Sequence, residues 1–412
     1  MRIQHLSLTN FRNYSRLELD FPPGVVLLLG DNAQGKTNLL EAIFTLSRMR
    51  SPRTGTEREL VNWLALEEDL PFARLAAQLQ KGEETERVEL SLVQNGLSTP
   101  EGNGNTLRKH VRLNGANKRA LEVVGQLSAV LFMPQDIDLV SGSPSGRRHY
   151  LDDTLCQVDS HYCRELQRYT RVLTERNFLL RSLRNRSYDP SELTFWDQRL
   201  VEHGSYLVLK RRQMLEQLNA EAQRIHLRLT GELEHLRLEY VASVRIAGCS
   251  EPGYQMELLA GARGTSVSQN VIDLPAVSAA FVAQLGKMRN KELEQGVTLV
   301  GPHRDDLRFV VNGADMNVYG SRGQQRTVAL SLKLAEVDLV TQIKKDKPIL
   351  LLDDVISELD AAHRSHLFAT LDTVQQVVIT TTDLVHFSPD FLARATLWRV
   401  SAGRVDEGLK LP

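Results

Sequence analysis

The sequence has little cysteine and no long apolar run, and each shortage excludes a class of protein. Only three cysteines, Cys156, Cys163 and Cys249, occur among 412 residues. They are too few for a disulfide framework and agree with a reducing compartment. No apolar run approaches the roughly 18 residues that a membrane-spanning helix needs. The opening segment MRIQHLSLTNFRNY also lacks the apolar stretch of a secretory signal. We therefore expect a cytoplasmic protein that does not enter a membrane.

Net charge is also nearly absent. The chain has 50 Lys and Arg against 51 Asp and Glu, a formal net charge of −1. Its global charge therefore gives no indication of nucleic acid or of an acidic surface as a partner. With 42% hydrophobic and 25% charged residues, the composition is that of a globular protein, and the length predicts two or three domains.

Strand and helix patterns alternate at both ends of the chain. The apolar runs Val25–Leu29 and Ile349–Leu352 are typical of strands buried on both faces. A helix is predicted after the first run, at Lys36–Arg48, and another before the second, at Gly323–Ile343. Further strands are predicted at Ile3–Leu8, Leu17–Phe21, Ala73–Leu79, Val88–Val93, His110–Leu113, Val297–Val300, Leu307–Val311 and Val377–Thr381. This alternation indicates an α/β fold.

The middle of the chain carries two apolar stripes at helical spacing. They cover Leu155–Leu183 and Leu200–Leu236, and Asp189-Pro190-Ser191 separates them. We predict two long helices in an antiparallel hairpin, inserted into or appended to the α/β part. Two core helices of one large domain are the alternative. A Gly- and Ser-rich loop is predicted at 245–273 and a helix at Leu274–Leu293.

The segment GDNAQGKT matches the phosphate-binding pattern G-x-x-x-x-G-K-[ST], between a buried strand and a helix. In such a P-loop, successive backbone N–H groups and the helix N-terminus surround the phosphates. Lys36 would reach the β- and γ-phosphates, and the Thr37 hydroxyl would bind Mg²⁺. The predicted nucleotide-binding residues of this loop are Gly30, Asp31, Asn32, Ala33, Gln34, Gly35, Lys36 and Thr37.

Two carboxylates end the apolar run Ile349–Leu352. Because sites in α/β proteins lie at the carboxyl ends of parallel strands, Asp353 would hold Mg²⁺, directly or through water. Asp354 would act as the general base that polarises the attacking water. Taken alone, a strand ending in acids is just as often a solvated strand end. Its occurrence after a P-loop in the same chain favours catalysis.

Ser321 and Gly323 open a predicted helix and would form a second anion site there, although a plainly capped helix is the simpler interpretation of these residues alone. Four motifs follow one another along the chain: the P-loop, Ser-x-Gly-Gln ending at Gln324, an apolar strand with two acids, and Ser-Glu-Leu-Asp. This order resembles that of the ABC/SMC-type ATPase head. That resemblance implies ATP and Mg²⁺ as ligands. It also implies that the signature, with Asp360 of the D-loop, completes the ATP site of a second copy, as an ATP-dependent homodimer.

This pattern departs from the resemblance at several positions. Arg322 stands where the signature usually has Gly, and Asp354 stands where transporters carry Glu, which implies slow hydrolysis. No switch histidine follows the strand that ends before Asp383, and His386 is not assumed to replace it. Gln135 would be the metal-sensing glutamine of a Q-loop, or a simple loop residue.

Residues 134–152, PQDIDLVSGSPSGRRHYLD, narrow the resemblance to the RecF family, with Gln135 where that family usually has an acid. The segments at 8–14, 301–306 and 319–326 are similar to it as well, so the resemblance covers essentially the whole chain. It implies an α/β, ABC/SMC-type P-loop ATPase head with an inserted helical-hairpin domain. The head would comprise 1–153 and 295–412, and the insertion would comprise 154–294.

The RecF resemblance also implies a function. Its members are ATP-dependent DNA-binding ATPases, so we expect this chain to be a weak, Mg²⁺-dependent, DNA-stimulated ATPase that binds duplex DNA near single-strand gaps. Family members help to load recombinase in repair and replication restart with RecR and RecO as partners, and they take part in the SOS response. Arg12 and Asn13 would flank the nucleotide, as the equivalent loop does in SMC heads.

Two stretches are locally basic and would contact DNA. One is the predicted hairpin with Arg108, Lys109, Arg112, Lys118 and Arg119, and the other is 161–228, with 13 Lys and Arg against 8 Asp and Glu. Such clusters bind phosphates in a salt-dependent way, although a solvated helix face is the alternative. No helix-turn-helix or zinc-finger spacing and no aromatic platform is evident, so sequence-independent binding to duplex backbone is expected.

Three other functions stay open. The ATPase subunit of a membrane transporter fits poorly with the long helical segment. A structural SMC-like head would need a longer coiled coil, because the roughly 80 residues at 154–236 make arms of only about 50–60 Å at 1.5 Å per residue. A nucleotide switch that binds ATP but barely hydrolyses it is kept open by Asp354.

Overall fold

The protein is described by a computed structural model that covers residues 1–67, 71–94, 107–184, 191–246 and 272–407. The chain forms two compact units. Met1–Asp136 and Lys333–Pro412 form the first unit, and Ile137–Leu332 forms the second. These limits differ from those of the three segments expected from the sequence, whose status as domains stays a prediction.

The described residues contain strands and helices in alternation. The strands are β1 (Arg2–Phe11), β2 (Tyr14–Asp20), β3 (Gly24–Leu29), β4 (Phe72–Lys81), β5 (Glu84–Gln94), β6 (Leu107–Leu113), β7 (Ala116–Lys118), β8 (Ala129–Phe132), β9 (Leu236–Val241), β10 (Asp306–Val311), β11 (Ala314–Asp315), β12 (Ile349–Asp353), β13 (Gln376–Thr381), β14 (Ala395–Ser401) and β15 (Arg404–Asp406). The α-helices are α1 (Lys36–Arg48), α2 (Ala120–Val123), α3 (Asp138–Ser141), α4 (Pro144–Val158), α5 (Ser160–Leu183), α6 (Ser191–Leu229), α7 (Leu274–Gln295), α8 (Arg322–Lys344), α9 (Ala361–Leu371) and α10 (Pro389–Arg394).

The first unit contains two six-stranded sheets. One has the order β15-β14-β3-β13-β12-β8 and is parallel except at β15, and the other is antiparallel with the order β2-β1-β4-β5-β6-β7. Helix α1 contacts strands of both sheets, and its Leu39 and Ile43 belong to the same apolar core as Leu8 and Leu351. Burial on both faces explains why β3 and β12 read as continuous apolar runs.

The parallel sheet determines where the polar loops meet. Asp353 at the end of β12 pairs in register with Thr380 of β13, and Leu29 at the end of β3 pairs with Thr381. The loops that follow these three strands therefore begin at the same edge of the sheet. The P-loop and the two acids are thus brought together by strand order, although Gly30 and Asp354 are more than 300 positions apart in sequence.

The second unit contains the helices α4 to α7, the start of α8 and a small sheet of order β11-β10-β9. Helices α5 and α6 pack on each other, and α7 packs on both. Buried ion pairs tie this unit together. Arg147 donates two hydrogen bonds to the carboxylate of Asp306, at 2.7 and 2.9 Å, and Arg211 donates to Asp152 at 2.7 Å. The segments 134–152 and 301–306, which both carry the resemblance to the RecF family, therefore contact each other.

Several predictions of secondary structure need correction. The stripe Leu155–Leu183 is two helices, α4 and α5, because the carboxylate of Asp159 accepts bonds from the N–H groups of His161 and Tyr162 and starts a new helix. Leu236 does not end a helix but begins β9.

Residues 297–300 were expected as a strand and lie outside one. Of the predicted break Asp189-Pro190-Ser191, only Ser191 is described, and it begins α6. Of the loop predicted at 245–273, residues 247–271 lie outside the described residues. By contrast, the predicted helices α1, α7 and α8 and the strands β12 and β13 are confirmed within one or two residues. In the described ranges, no helix has the length and apolar character needed to cross a membrane.

Candidate active site

The P-loop leads from β3 into α1 with a backbone that only certain residues tolerate. Gly35 lies just before α1 with φ +118°, and a Cβ there would come within 2.5 Å of the Asn13 side-chain nitrogen. A Cβ on Gly30 would lie 2.3 Å from the carbonyl oxygen of Val400. Both glycines are therefore required by close approach of neighbouring segments to the loop.

Lys36 lies folded against this loop. Its ammonium group donates hydrogen bonds to the carbonyl oxygens of Gly30, at 2.5 Å, and of Asp31, at 2.9 Å. Burial lowers the pKa of Lys36, and the charges of Asp354, Asp353 and Asp31 partly oppose that shift. The cation thus lies close to where the motif would place the phosphates.

Asp353 is bound by two hydroxyl groups. Thr37 Oγ1 donates to Asp353 Oδ1 at 2.8 Å, and Thr380 Oγ1 donates to the same oxygen at 2.9 Å. Burial raises the pKa of Asp353, while the two hydroxyl bonds lower it. Asp354 has a left-handed backbone with φ +52°, and its N–H donates to Thr380 Oγ1 at 2.9 Å.

A cavity of about 310 Å³ joins these groups. It is lined by residues 32–38 together with Arg53, Pro134, Gln135, Asp353, Asp354 and Thr380, all of the first unit. The volume lies at the lower end of the range of small-ligand sites. The P-loop and both acids line the same cavity, which brings together the groups that phosphoryl transfer to water uses.

Thr37 and Asp353 fit a magnesium ion. Their oxygens are 2.8 Å apart, and adjacent ligands of an octahedral ion with bonds of 2.0–2.1 Å are roughly 2.9 Å apart. The described residues contain no group of three or more His, Cys, Asp or Glu that could hold a metal. Gln135, the third residue expected at the metal, also lines the cavity. Mg²⁺ beside nucleotides usually completes its coordination with oxygens of phosphate and water.

Arg12 and Asn13 contribute differently. Asn13 donates to the carbonyl of Gln34 at 3.0 Å and so contacts the P-loop backbone. Arg12 forms two bonds to the carboxylate of Glu41 and one to the carbonyl of Glu59. Arg12 therefore connects α1, through Glu41, to the segment that contains Glu59. It is not among the described residues that line the cavity.

Asp360 and His386 are engaged outside the cavity lining. The Asp360 carboxylate caps α9 by accepting from the N–H of His363 at 2.9 Å, and it is 64% exposed. His386 Nδ1 lies 2.6 Å from an Arg364 nitrogen and accepts its hydrogen bond. A nucleotide role for either residue stays a prediction.

The signature segment lies in the second unit, at the exposed start of α8. Ser321 and Gln324 cap the helix reciprocally: Ser321 Oγ accepts from the Gln324 N–H, and Gln324 Oε1 accepts from the Ser321 N–H. Gln324 also donates to Glu234 at 2.9 Å. A Cβ on Gly323 would meet only Ser321 Oγ, at 3.9 Å. Contacts within this chain therefore do not require glycine at this position.

Sequence reasoning missed several contributors to the cavity, among them Asn38 and Pro134. Thr380 and Arg53 line it, and the turn between β14 and β15 supports it, because the N–H of Gly403 donates to the carbonyl of Gln34 at 3.0 Å and the N–H of Ala402 to the Gln34 side chain at 2.7 Å. Thr380 lies within the strand predicted at Val377–Thr381, but the sequence does not indicate which strand lies beside it. The turn carries no comparable signal.

Comparisons with known proteins agree along the whole chain. A family model described as "RecF/RecN/SMC N terminal domain" matches residues 2–391. A protein of Chloroflexus aurantiacus named "DNA replication and repair protein RecF" is 43% identical over 415 residues, covering 99% of this chain and 100% of the relative. The protein of the same name from Bacillus subtilis is 38% identical, with 98% and 99% covered. The chain belongs to the RecF family.

Solved structures support the same assignment. The structure titled "Structure of the recombination mediator protein RecF-ATPrS in RecFOR pathway" matches with a TM-score of 0.82 and 30% identity, and 98% of each chain is covered. A structure titled as RecF-ATP of that pathway matches equally well. The RecF family assignment confirms the predicted fold class, an α/β P-loop ATPase head.

Proposed function

We propose that this RecF-family chain is a Mg²⁺-dependent ATPase that binds duplex DNA and acts in recombinational repair and replication restart. The observation that carries the proposal is the convergence of Lys36, Thr37, Asp353 and Asp354 on one cavity. The names of the relatives supply the repair context. RecR and RecO as partners, loading of recombinase at single-strand gaps and a part in the SOS response extend this proposal.

Each residue of the cavity has a distinct task in hydrolysis. Lys36 exchanges its two backbone carbonyl partners for oxygens of the β- and γ-phosphates. Thr37 and Asp353 would hold Mg²⁺, whose charge would stabilise the negative charge that develops on the phosphates. Asp354 accepts a proton from the water that attacks the γ-phosphorus, while the bond from that phosphorus to the β–γ bridging oxygen breaks and ADP leaves. Its side chain is one carbon shorter than Glu, which places the base farther from the water and makes turnover slow.

The signature is proposed to act on a second copy of the chain. Ser321 and Gly323 lie exposed at the start of α8, where N–H groups and the helix dipole favour an anion. Gly323 is the second residue of α8, and contacts among the described residues do not explain a glycine there. A phosphate brought by a second copy would require the space. ATP then joins two copies, and hydrolysis releases them.

A mixture of two inactive variants tests this proposal. Ser321→Arg blocks the signature and Lys36→Met removes the P-loop cation, so each variant alone should lose ATPase activity. A mixed dimer retains one site with an intact P-loop and an intact opposite signature. We expect activity to return on mixing, to at most about a quarter of the wild-type rate. A mixture as inactive as its components would mean that both motifs act within one copy.

Exposed basic side chains on β6 and in the helical stretch 161–228 are the proposed DNA contacts. Arg108, His110 and Arg112 alternate along β6 and all are exposed, whereas Lys109 points away and pairs with Glu57 at 2.7 Å. Not every basic residue is available, since Arg176 and Arg211 in the helical segment are buried in ion pairs. Phosphate contacts by such exposed groups make binding depend on salt and not on sequence.

Salt titration of DNA binding tests this surface. The double variant Arg108→Glu and Arg112→Glu should weaken duplex binding and reduce the slope of log affinity against log salt by about two. Arg394→Glu, which reverses one similarly exposed arginine on α10, is the control at a different surface and should change neither quantity. Equal effects of both variants would assign DNA binding to another surface.

A nucleotide switch that binds but barely hydrolyses ATP is the second candidate function. The reason is that residue 354 is Asp, whose side chain is shorter than that of the Glu found in transporters. Comparing turnover with and without gapped DNA separates the two functions. An ATPase should be stimulated by the DNA, whereas a switch should show the same low rate in both conditions.

A further inference from the structure

One hydroxyl group connects the two acids of the active site. Thr380 lies on β13 directly beside Asp353 and is 1% exposed. A backbone N–H only donates, so Thr380 Oγ1 accepts the bond from Asp354 N at 2.9 Å. Its single proton is then given to Asp353 Oδ1, also at 2.9 Å. The same oxygen atom thus contacts both acids at once.

The bond to Asp353 fixes the carboxylate. Thr37 donates to the same Oδ1 from the P-loop side, at 2.8 Å. Two donors from different segments converge on one oxygen, so rotation of the carboxylate would break at least one of them. The Asp353 side chain is therefore positioned before any ligand arrives, as a metal site requires of its supporting hydrogen bonds.

The bond to Asp354 fixes a strained backbone. Asp354 has φ +52°, a region that residues with a Cβ adopt only when surrounding contacts compensate. The bond from its N–H to Thr380 is one such contact. A second is the bond from Ser357 Oγ to the Asp354 carbonyl at 2.9 Å. The direction of the Asp354 side chain depends on this backbone.

We propose that Thr380 is a positioning residue that aligns Asp353 for the magnesium ion and Asp354 for the attacking water through one hydroxyl group. The inference rests on the proposed Mg²⁺-dependent ATPase function and adds a residue that neither the P-loop nor the acidic pair includes. Thr380 touches neither substrate nor metal in this role. Neighbouring strands transmit the alignment, because the register of β12 and β13 places the hydroxyl between the two acids.

Three variants separate positioning from simple stability. Thr380→Val keeps the shape of the side chain and removes the hydroxyl, and Thr380→Ser keeps the hydroxyl and removes a methyl group. Thr381→Val is the matched control, because Thr381 is the next residue of β13, is also buried and donates to the Asp383 carbonyl. Equilibrium binding of a fluorescent ATP analogue is measured in Mg²⁺ and in EDTA, together with kcat at saturating Mg²⁺ and ATP.

Thr380→Val should raise the Mg²⁺ concentration for half-maximal nucleotide binding by roughly tenfold and lower kcat by a similar factor, since each lost bond involves a charged or strained partner. Nucleotide affinity in EDTA should stay within about twofold of wild type, because the P-loop is unchanged. Thr380→Ser should restore both quantities to within about threefold. Thr381→Val should behave as wild type in both.

Three results would overturn the inference. The first is a Thr380→Val protein with wild-type Mg²⁺ dependence and kcat. The second is equal weakening of binding in Mg²⁺ and EDTA, and the third is a Thr380→Ser protein as defective as Thr380→Val. Either of the last two would leave Thr380 with a packing role only. A wild-type protein whose nucleotide binding ignores Mg²⁺ and which does not turn over ATP would refute the proposed function instead.

Discussion

The P-loop and the signature both open helices with anion-binding geometry, yet their surroundings differ. Around the P-loop, Gly30 and Gly35 face backbone or side-chain atoms at 2.3–2.5 Å from a hypothetical Cβ, and Gln34 is bound by three neighbouring groups. At the signature, Gly323 faces one atom at 3.9 Å. Contacts within the described part of the chain account for the P-loop glycines, whereas a partner that approaches from outside is our proposed reason for the signature glycine.

The largest expected effect is the loss of turnover when Asp354, one of the two acids that line the P-loop cavity, is replaced. Asp354→Asn removes the proposed general base but keeps the side-chain size, so kcat should fall by roughly 100-fold or more. ATP affinity should change by less than about threefold, because Lys36 and Thr37 are intact. Steady-state turnover and equilibrium ATP binding measure the two quantities. A variant with near wild-type turnover would remove Asp354 from the chemistry.

Paired glycine substitutions test the comparison directly. Gly35→Ala introduces a Cβ at φ +118° against Asn13, with a strain of about 1–3 kcal/mol, so the unfolding midpoint should fall by several degrees and ATP affinity by at least tenfold. Gly323→Ala should leave the midpoint unchanged or slightly raised, because alanine favours a helix. It should nevertheless weaken ATP-driven pairing of two copies.

Thermal unfolding and sedimentation with ATP measure both glycine variants. If Gly323→Ala instead lowered stability as Gly35→Ala does, the chain's own packing would explain the signature glycine. The contrast between the two helix starts would then disappear.

A smaller effect concerns the second unit and its pH dependence. His303 Nε2 donates to the Thr298 carbonyl and Nδ1 accepts from the Tyr169 hydroxyl at 2.6 Å, so the ring is neutral. Burial lowers the pKa of His303 from 6.5 to about 4. Between pH 6.5 and 4, His303 therefore binds a proton in the unfolded chain but not in the folded chain. Stability from this group is complete above pH 6.5 and is lost as the pH falls towards 4.

The pH effect has an upper bound of roughly 3 kcal/mol, from the pKa difference at 1.36 kcal/mol per unit. His303→Gln keeps a donor and an acceptor in similar positions but does not titrate. The unfolding midpoint of this variant should fall less steeply than that of wild type between pH 6.5 and 4. Parallel pH profiles of the two proteins would show that His303 does not contribute to acid sensitivity.

Local patterns predicted the fold better than they predicted the contacts around the cavity. The apolar runs at β3 and β12 and the P-loop motif are patterns formed by residues adjacent in the sequence. They can therefore be recognised from the sequence alone. The break at Asp159 was missed because one capping carboxylate outweighed an apolar stripe that continues through it. Thr380 was missed because its bond crosses between parallel strands 27 positions apart. Such contacts depend on strand register, which a single sequence does not specify.

The most direct test of the account is the mass of the wild-type protein in solution with nucleotide. Sedimentation velocity with saturating Mg²⁺ and ATP should show a dimer of about twice the 46.4 kDa chain, and the same sample with ADP should show the single chain. A protein that stays a single chain with Mg²⁺ and ATP, even with duplex DNA present, would contradict the claim that the signature serves the site of a second copy.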